Sequence, residues 1–359
     1  MTAPENDDAV DAFAEVVFDR LIGGIEILSI YLGDRLGLYR ALAGSPATAA
    51  ELASRAGIHE RYAREWLEQQ AVAGFLTVDP TRDATQRQFV LPAAHERVLA
   101  DPSSLVYSAP LARMVAAAAS RLPDLLTAYR TGGGVGWALF GDDARDAQGD
   151  QNRPWFDSAL AGALASVPAV HDALSRDGAR IADVGCGHGW STIALAQAYP
   201  SASVDGFDLD APALESARLH AEGLERVSFH HLAGERVADG REAAYDAAFV
   251  FEALHDMPDP VGVLTALHRA VKPDGVVVIM DEAVAEQFTA PGDPIERVMY
   301  GYSLFVCLPD SMSTAGSVAT GTVMRRSTLA RYAREAGFRD AVALPIEGFA
   351  AFRFYLLER

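Results

Sequence analysis

The chain has 359 residues, half of them hydrophobic, and a formal net charge of −19. That is length for two domains, or for one large domain with an appendage, and apolar material for sizeable cores. So acidic a chain, with no densely basic stretch, is a poor partner for a phosphate backbone, and the apolar run Met114 to Ala119 falls far short of the roughly 20 residues of a membrane span. Cys186 and Cys307, the two cysteines, offer neither a disulfide framework nor a metal-ligand cluster.

Met1 to Asp11 is acidic and polar, without the basic and apolar regions of a signal peptide, so a cytoplasmic location is expected. Helical apolar spacing then runs over residues 10–43 through Phe13, Val17, Leu21, Ile25, Leu28, Leu32, Leu36 and Leu42. Such a stripe suits a core helix, a helix packed on a second subunit, or both. Thr48, with Glu51 three residues on, forms a capping box that opens a helix ending at Gly57. A second helix is predicted from His59 to Ala73, with Tyr62, Trp66, Leu67 and Val72 inward and Gly74 as its stop. Phe75–Val78 and Gln88–Leu91 read as strands around the polar loop Asp79–Arg87. Two helices and a small hairpin are the layout of a winged helix. Winged helices often bind DNA, but Glu60, Arg61, Arg64, Glu65 and Glu68 nearly cancel on the second helix, which disfavours a DNA-reading role. Residues 102–175 look mostly helical, with turn-like stretches at 131–136 and 141–151 that suit a lid or a linker. The expected domains are 1–100, 101–175 and 176–359.

The stretch Ala179 to Thr192 is the most informative. An apolar strand ends in Asp183, the loop Gly185-Cys186-Gly187-His188-Gly189 follows, and a helix begins. Glycines at alternate positions let the backbone turn sharply against a bound nucleoside, and the spacing is not the G-x-G-x-x-G of a dinucleotide pyrophosphate site. A carboxylate at Asp183 suits a ligand with a cationic amino-acid end. Val204–Asp208 is a second strand ending in an acid, about where the next strand of a doubly wound sheet returns a carboxylate to ribose hydroxyls. Strands at 227–231 and 245–251, a helix over Val261–Val271 closed by Lys272-Pro-Asp-Gly275, a β-branched strand at Val276–Met280, a helix from Ser327 to Gly337 and a hairpin of 341–344 with 352–357 complete the chain. The predicted class is α/β: a Rossmann-like, doubly wound, mainly parallel sheet with a terminal antiparallel hairpin, plus a mostly helical N-terminal winged-helix domain.

The pieces Asp183–Gly189, Asp208, Phe251-Glu-Ala-Leu-His-Asp256, Lys272–Gly275, Asp281-Glu282, Cys307-Leu-Pro309 and Ala336-Gly-Phe338 occur in that order. In them the chain resembles class I S-adenosylmethionine-dependent methyltransferases, specifically the actinobacterial-type small-molecule enzymes with an N-terminal winged-helix dimerisation domain, over about residues 20–359. The resemblance implies S-adenosyl-L-methionine as cofactor and S-adenosyl-L-homocysteine as product. It implies that Asp183 and the loop Gly185, Cys186, Gly187 and Gly189 hold the amino-acid end, that Asp208 binds the ribose hydroxyls, that Leu209 lies against adenine and that Phe251 borders the cofactor. It further implies a homodimer whose N-terminal domains exchange helices, wall off the acceptor pocket and do not bind DNA. Where such enzymes commonly place an acid near the adenine amino group, this chain has Ala233, with Glu235 or a backbone carbonyl as substitute.

His255 is the histidine of the segment that must border the transferable methyl. A neutral imidazole there can take a proton from a phenol, enol, indole or amine, with Glu252 or Asp256 orienting the ring or holding its charge; the plainer alternative is a cap on the following turn. His255-Asp256 also resembles the pair of metal-dependent α-keto-acid C-methyltransferases, which need a further histidine downstream. No histidine follows His268, and Val306 stands near the matching place, so no metal is expected. His230 and His231 face opposite sides of a strand, and His188 is expected to face solvent. Acceptor-pocket candidates are Tyr31, Trp137, Phe140, Asn152, Trp155, Met299, Tyr302 and Phe305, which imply an apolar, aromatic acceptor. The expected function is methyl transfer to a small aromatic or secondary-metabolite acceptor, O-methylation first and C- or N-methylation second. Other classes are a non-catalytic winged-helix regulator that binds S-adenosylmethionine and a protein that uses this cofactor for a non-methyl reaction.

Overall fold

A computed structural model describes residues 7–359; residues 1–6, the greater part of the stretch read above as lacking a signal peptide, lie outside the described residues. The chain divides into two compact units, Met1–Ala116 and Ala117–Arg359. No helix among the described residues is long and apolar enough to cross a membrane.

In the first unit, a helix spans Asp7–Arg35. Along this helix the predicted apolar stripe is not core: Phe13 is 69 % exposed, Val17 52 % and Leu21 56 %, whereas Leu42, its last member, is buried beyond the helix. Only its C-terminal turn is held inward, where Gly33 leaves no room for a Cβ against Tyr39 and Trp66. The capping box forms as the spacing predicts. Thr48 N donates to Glu51 Oε2 at 2.7 Å, and Glu51 N to Thr48 Oγ1 at 3.3 Å. The helix Ala49–Ala56 ends at Gly57, whose φ of 67° only glycine adopts readily. The second helix, Glu60–Val72, is capped by His59 and buries Ala63, Trp66, Leu67 and Gln70, one stripe at helical spacing. Tyr62 and Val72, expected inward, lie off that stripe and are 76 % and 90 % exposed. The wing is shorter than predicted: strands β1 (Thr77–Val78) and β2 (Phe89–Val90) pair antiparallel, and Ala47 bridges to Phe89. Leu38, Tyr39, Leu42, Leu52, Trp66, Leu67 and Phe89 form the core of this unit.

The second unit is built on strands β3 (Arg180–Val184), β4 (Ser203–Asp208), β5 (Val227–His231), β6 (Tyr245–Phe251), β7 (Val271–Glu282), β8 (Asp340–Ala343) and β9 (Phe352–Glu358). They form one seven-stranded sheet in the order β5-β4-β3-β6-β7-β9-β8. β3 to β7 run parallel, and β9 joins β7 and β8 antiparallel. Apolar clusters fill both faces, which is why β6 is buried at every position. From β3 the chain winds outward to β5, then returns to β6 on the other side. The order therefore reverses between β3 and β6, where open α/β sheets place their ligands. Lys272–Gly275, expected to close the preceding helix, lies within β7 as an irregularity, where the register against β6 jumps from Tyr245–Val271 to Ala247–Val276 and Lys272 Nζ pairs with Asp246 at 2.9 Å. The helix expected to be capped by Ser327 spans Arg326–Glu335, with Arg325 in the cap position.

Residues 132–160 form a docked strap. Val135 N donates to Pro309 O at 2.8 Å and Trp137 N to Asp310 Oδ1 at 2.6 Å. A 3₁₀ turn (Trp137–Phe140), the helix Gly141–Trp155 and a π-turn (Phe156–Leu160) follow. A Cβ at Gly134 would run into Pro309 O and Ser313 N, both backbone atoms. Gly134→Ala is therefore expected to cost about 1–3 kcal/mol, as overpacking does, and to free the strap. Urea unfolding and limited proteolysis across 132–155 read this; an unchanged midpoint and cleavage pattern would contradict it.

Candidate cofactor and acceptor site

The loop after β3 is shaped by its glycines. Gly185 has φ 79° and a Cβ there would meet Ala253; Gly189, at φ 78° and the N-cap of the helix Trp190–Ala198, is pressed by Phe229 and Ala217. Asp183 is fully buried. Its Oδ2 accepts from Ser191 Oγ and Thr192 Oγ1, both at 2.6 Å, so it first ties the following helix to the strand end. Its Oδ1 has no hydrogen-bond partner, and burial pushes its pKa up to about 6. Asp208 stands across the loop at the end of β4. Its Oδ2 accepts from Gly187 N at 2.7 Å and its Oδ1 from Asp210 N at 2.8 Å, while burial raises its pKa. The two acids thus flank a backbone cradle; around a Cβ at Gly187 the space is open. Leu209 is 64 % exposed beside it, and Glu235 lies half-buried on a 3₁₀ turn.

The strap fastens to this cradle. Trp137 Nε1 and Arg145 Nε both donate to Asp210 Oδ2, at 2.9 and 2.6 Å. Arg153 lies 4.0 Å over the Trp190 ring. His188 is not solvent-facing as expected: it is 9 % exposed, packed where Gly149 leaves room for its ring. His230 and His231 do take separate partners, Asp205 Oδ1 at 3.1 Å and Leu209 O at 2.9 Å.

A second cluster of polar side chains is built at the ends of β6 and β7. Glu252 follows Phe251 with φ 50°, an unusual backbone for a non-glycine residue and one often found at functional sites. Asn152 Nδ2 of the strap helix donates to Glu252 Oε2 at 2.5 Å. Burial outweighs the bonds from Asn152 and Gln148 and pushes the Glu252 pKa up to about 7. His255 is 2 % exposed. Its Nδ1 lies 3.0 Å from Asp281 Oδ1 and 3.3 Å from Glu282 Oε2, and its Nε2 lies 3.3 Å from Asp256 Oδ1. Burial opposes a charged ring, but Asp256, Glu282 and Asp281 together hold its pKa well above the usual histidine value. Asp281-Glu282 was visible in the sequence only as part of a resemblance; the pairing of β6 with β7 is what brings it against His255.

A π-turn, Ser303–Cys307, carries Cys307 rather than Val306 toward this cluster. Ligand atoms of His255, Asp256 and Cys307 lie within 4.8 Å of one another, as do those of His255, Asp281 and Glu282. Val306 is buried at 4 %.

The remaining candidates separate. Asn152 reaches Glu252, and Tyr302 borders it, burial and Glu252 pushing the phenol up to about 12. Trp137 is tied to Asp210 and Asp310. Phe251 turns its ring into the core, stacked on Phe249 at 5.2 Å, so backbone is what it offers a ligand. Trp155 packs on Phe349 at 5.3 Å, and Phe140 and Met299 are buried. Phe305 is 43 % exposed. Tyr31 belongs to the first unit, on its first helix.

Residues 181–275 match the family model described as a methyltransferase domain, and residues 25–101 match the Rv2258c-like winged HTH domain. The chain therefore carries a segment that matches a methyltransferase domain and, N-terminal to it, one that matches a winged helix-turn-helix domain. A ubiquinone biosynthesis O-methyltransferase of Alkalilimnicola ehrlichii is 41 % identical over 103 residues, 28 % of this chain and 41 % of that one. One of Pseudomonas aeruginosa is 37 % identical, over 28 % and 44 %. The chain thus spans less than half the length of these curated relatives. Among solved structures, the mitomycin 7-O-methyltransferase MmcR shares 24 % identity at a TM-score of 0.71, over 99 % of this chain and 100 % of that one. Human N-acetylserotonin methyltransferase in complex with S-adenosylmethionine shares 17 % at 0.71, over 100 % and 99 %. At these identities the likeness is one of fold.

Proposed function

We propose that this protein is an S-adenosylmethionine-dependent methyltransferase acting on a small acceptor, with a hydroxyl oxygen as the first choice of methylated atom. The observation that carries the reading is the acid-flanked glycine loop at the sheet's reversal point, set opposite the His255 cluster. The residues fit the cofactor: Asp183 keeps an oxygen without a donor, Asp208 presents a carboxylate beyond an open glycine, and Leu209 offers exposed apolar surface. When bound, the cofactor supplies an electrophilic sulfonium methyl.

Asp208 then accepts from the ribose hydroxyls, Leu209 and Glu235 border the adenine, and the loop backbone and Asp183 face the amino-acid end. The strap, held by Asp210, Asp310 and Glu252, keeps water from the reaction and fixes the acceptor in line, an effect that can supply about 7–11 kcal/mol. Nδ1 of His255 donates to Asp281, which leaves Nε2 to take the acceptor's hydroxyl proton, and Asp256 balances the charge so formed. General-base help of this kind is worth roughly 10²–10⁴-fold, so positioning is the larger effect. The direct test is incubation with S-adenosylmethionine and a panel of small phenols, read by mass spectrometry. Acceptor-dependent S-adenosylhomocysteine with a product heavier by one methylene supports the reading. A DNA gel shift at low salt without any transfer would favour the regulator instead.

The exposed apolar stripe of the first helix supports a homodimer, since contiguous apolar surface of this kind marks a protein partner. Phe18→Asp with Leu21→Asp is expected to give a monomer by light scattering; an unchanged mass would place the dimer contact elsewhere or remove it.

A further inference from the structure

The strap helix Gly141–Trp155 meets the glycine loop and its flanks along one stripe, Arg145, Gly149 and Arg153, spaced four residues apart. Over roughly 12 Å of helix, Arg145 Nε donates to Asp210 Oδ2 at 2.6 Å, a Cβ at Gly149 would come 2.5 Å from His188 Nδ1, and Arg153 lies 4.0 Å over the Trp190 ring. Arg145 and Asp210 are nearly enclosed, their side chains 10 % and 13 % exposed, whereas Asp142, the second partner of Arg145, is 82 % exposed. Asp210 is the N-cap of the helix Ala211–His220, a position from which an aspartate side chain ordinarily accepts from backbone N–H groups of the first turn. Here no such bond forms. Asp210 Oδ2 accepts from two strap donors instead, Arg145 Nε and Trp137 Nε1. The helix goes without its cap and the strap gains an anchor. Meanwhile the backbone of Asp210 donates to Asp208 Oδ1 at 2.8 Å. The residue that the strap grips is therefore the one whose amide aims Asp208.

We propose that Arg145 is a positioning residue for the cofactor: through Asp210 it fixes the Asp208 carboxylate toward the ribose diol and draws the strap onto the glycine loop. Trp137 supports it as the second donor to Asp210. Strap closure and nucleoside binding are then one linked equilibrium. A closed strap favours the bound nucleoside, and the bound nucleoside favours the closed strap by the same factor. The role rests on the methyltransferase reading and extends the cofactor's support to a residue 65 positions before Asp210 in the chain.

The test is calorimetric titration of S-adenosylhomocysteine into the full chain and its variants, beside limited proteolysis of 132–155 with and without the nucleoside. Arg145→Ala is expected to weaken binding about 10- to 100-fold, the effect of one hydrogen bond to a charged group. Arg145→Lys, which keeps the charge, should recover part of that loss. Asp142→Ala, which removes only the exposed partner, should stay within about twofold of the parent. Because Arg145 acts through Asp210, Arg145→Ala combined with Asp210→Asn should bind no more weakly than the weaker single variant. The nucleoside should slow cleavage of the strap in the wild type and far less in Arg145→Ala. Parent-like binding by Arg145→Ala, single effects that add in the double variant, or wild-type cleavage indifferent to the nucleoside would each overturn the proposal. Should Arg145→Ala fail to fold, Trp137→Phe decides in its place: it deletes the second donor to Asp210 and keeps an aromatic ring, and parent-like affinity there would overturn the proposal too. A wild-type protein that binds no S-adenosylhomocysteine would instead overturn the methyltransferase reading.

Discussion

Asp208→Ala is expected to raise the dissociation constant for S-adenosylhomocysteine at least a hundredfold. The carboxylate has two duties. It closes the glycine loop through Gly187 N and Asp210 N, and it faces the place where a ribose diol would donate two hydrogen bonds. A hydrogen bond to a charged group contributes about 1.5–3 kcal/mol, so losing two costs about 3 kcal/mol or more, a hundredfold or greater. Asp208→Asn separates the duties, because its amide oxygen can keep one backbone bond while the charge is gone. An intermediate loss is expected, with a somewhat lowered unfolding midpoint, because the amide nitrogen cannot accept the second backbone bond. If Asp208→Ala bound the nucleoside as the parent does, the ribose would not lie at the end of β4.

His255→Ala is expected to lower kcat by roughly 10²–10⁴-fold and to leave nucleoside binding within about twofold, since the ring lies at the ends of β6 and β7 and not in the glycine cradle. The pH dependence is the sharper test. Three carboxylates hold the imidazolium, so the proton-free ring that acts as base grows in only as pH rises through a pKa well above 6.5. Activity should therefore climb on the alkaline side rather than level off near neutrality. Asp281→Asn removes one of the charges that stabilise the cation and should move the rising limb to lower pH. A flat profile between pH 6 and 9, unaltered in Asp281→Asn, would take the base role away from His255.

The parts of this molecule that chain-local chemistry dictates were legible before any fold. Thr48 and Glu51 cap a helix because the capping box needs only four residues. Asp183, the glycine loop and Asp208 announce themselves because one strand, one turn and the next strand hold them. What was not legible depends on contacts far apart in the chain. Asp281 and Glu282 meet His255 only through the β6–β7 register. Cys307, not Val306, reaches the cluster because a π-turn adds a residue to the helical turn and shifts every side chain after it. His188 is buried because Gly149, far earlier in the sequence, makes room for it. Phe251 goes to the core instead of the site because β6 is covered on both faces. Tyr62 and Val72 were placed inward by composition; the stripe through Ala63, Trp66, Leu67 and Gln70 shows that the helical period decides.

Calorimetric titration of S-adenosylhomocysteine into the wild-type protein tests the central reading most directly. Saturable one-site binding in the micromolar range or tighter is the result it predicts. A cooperatively folded wild-type protein that takes up no nucleoside would contradict it.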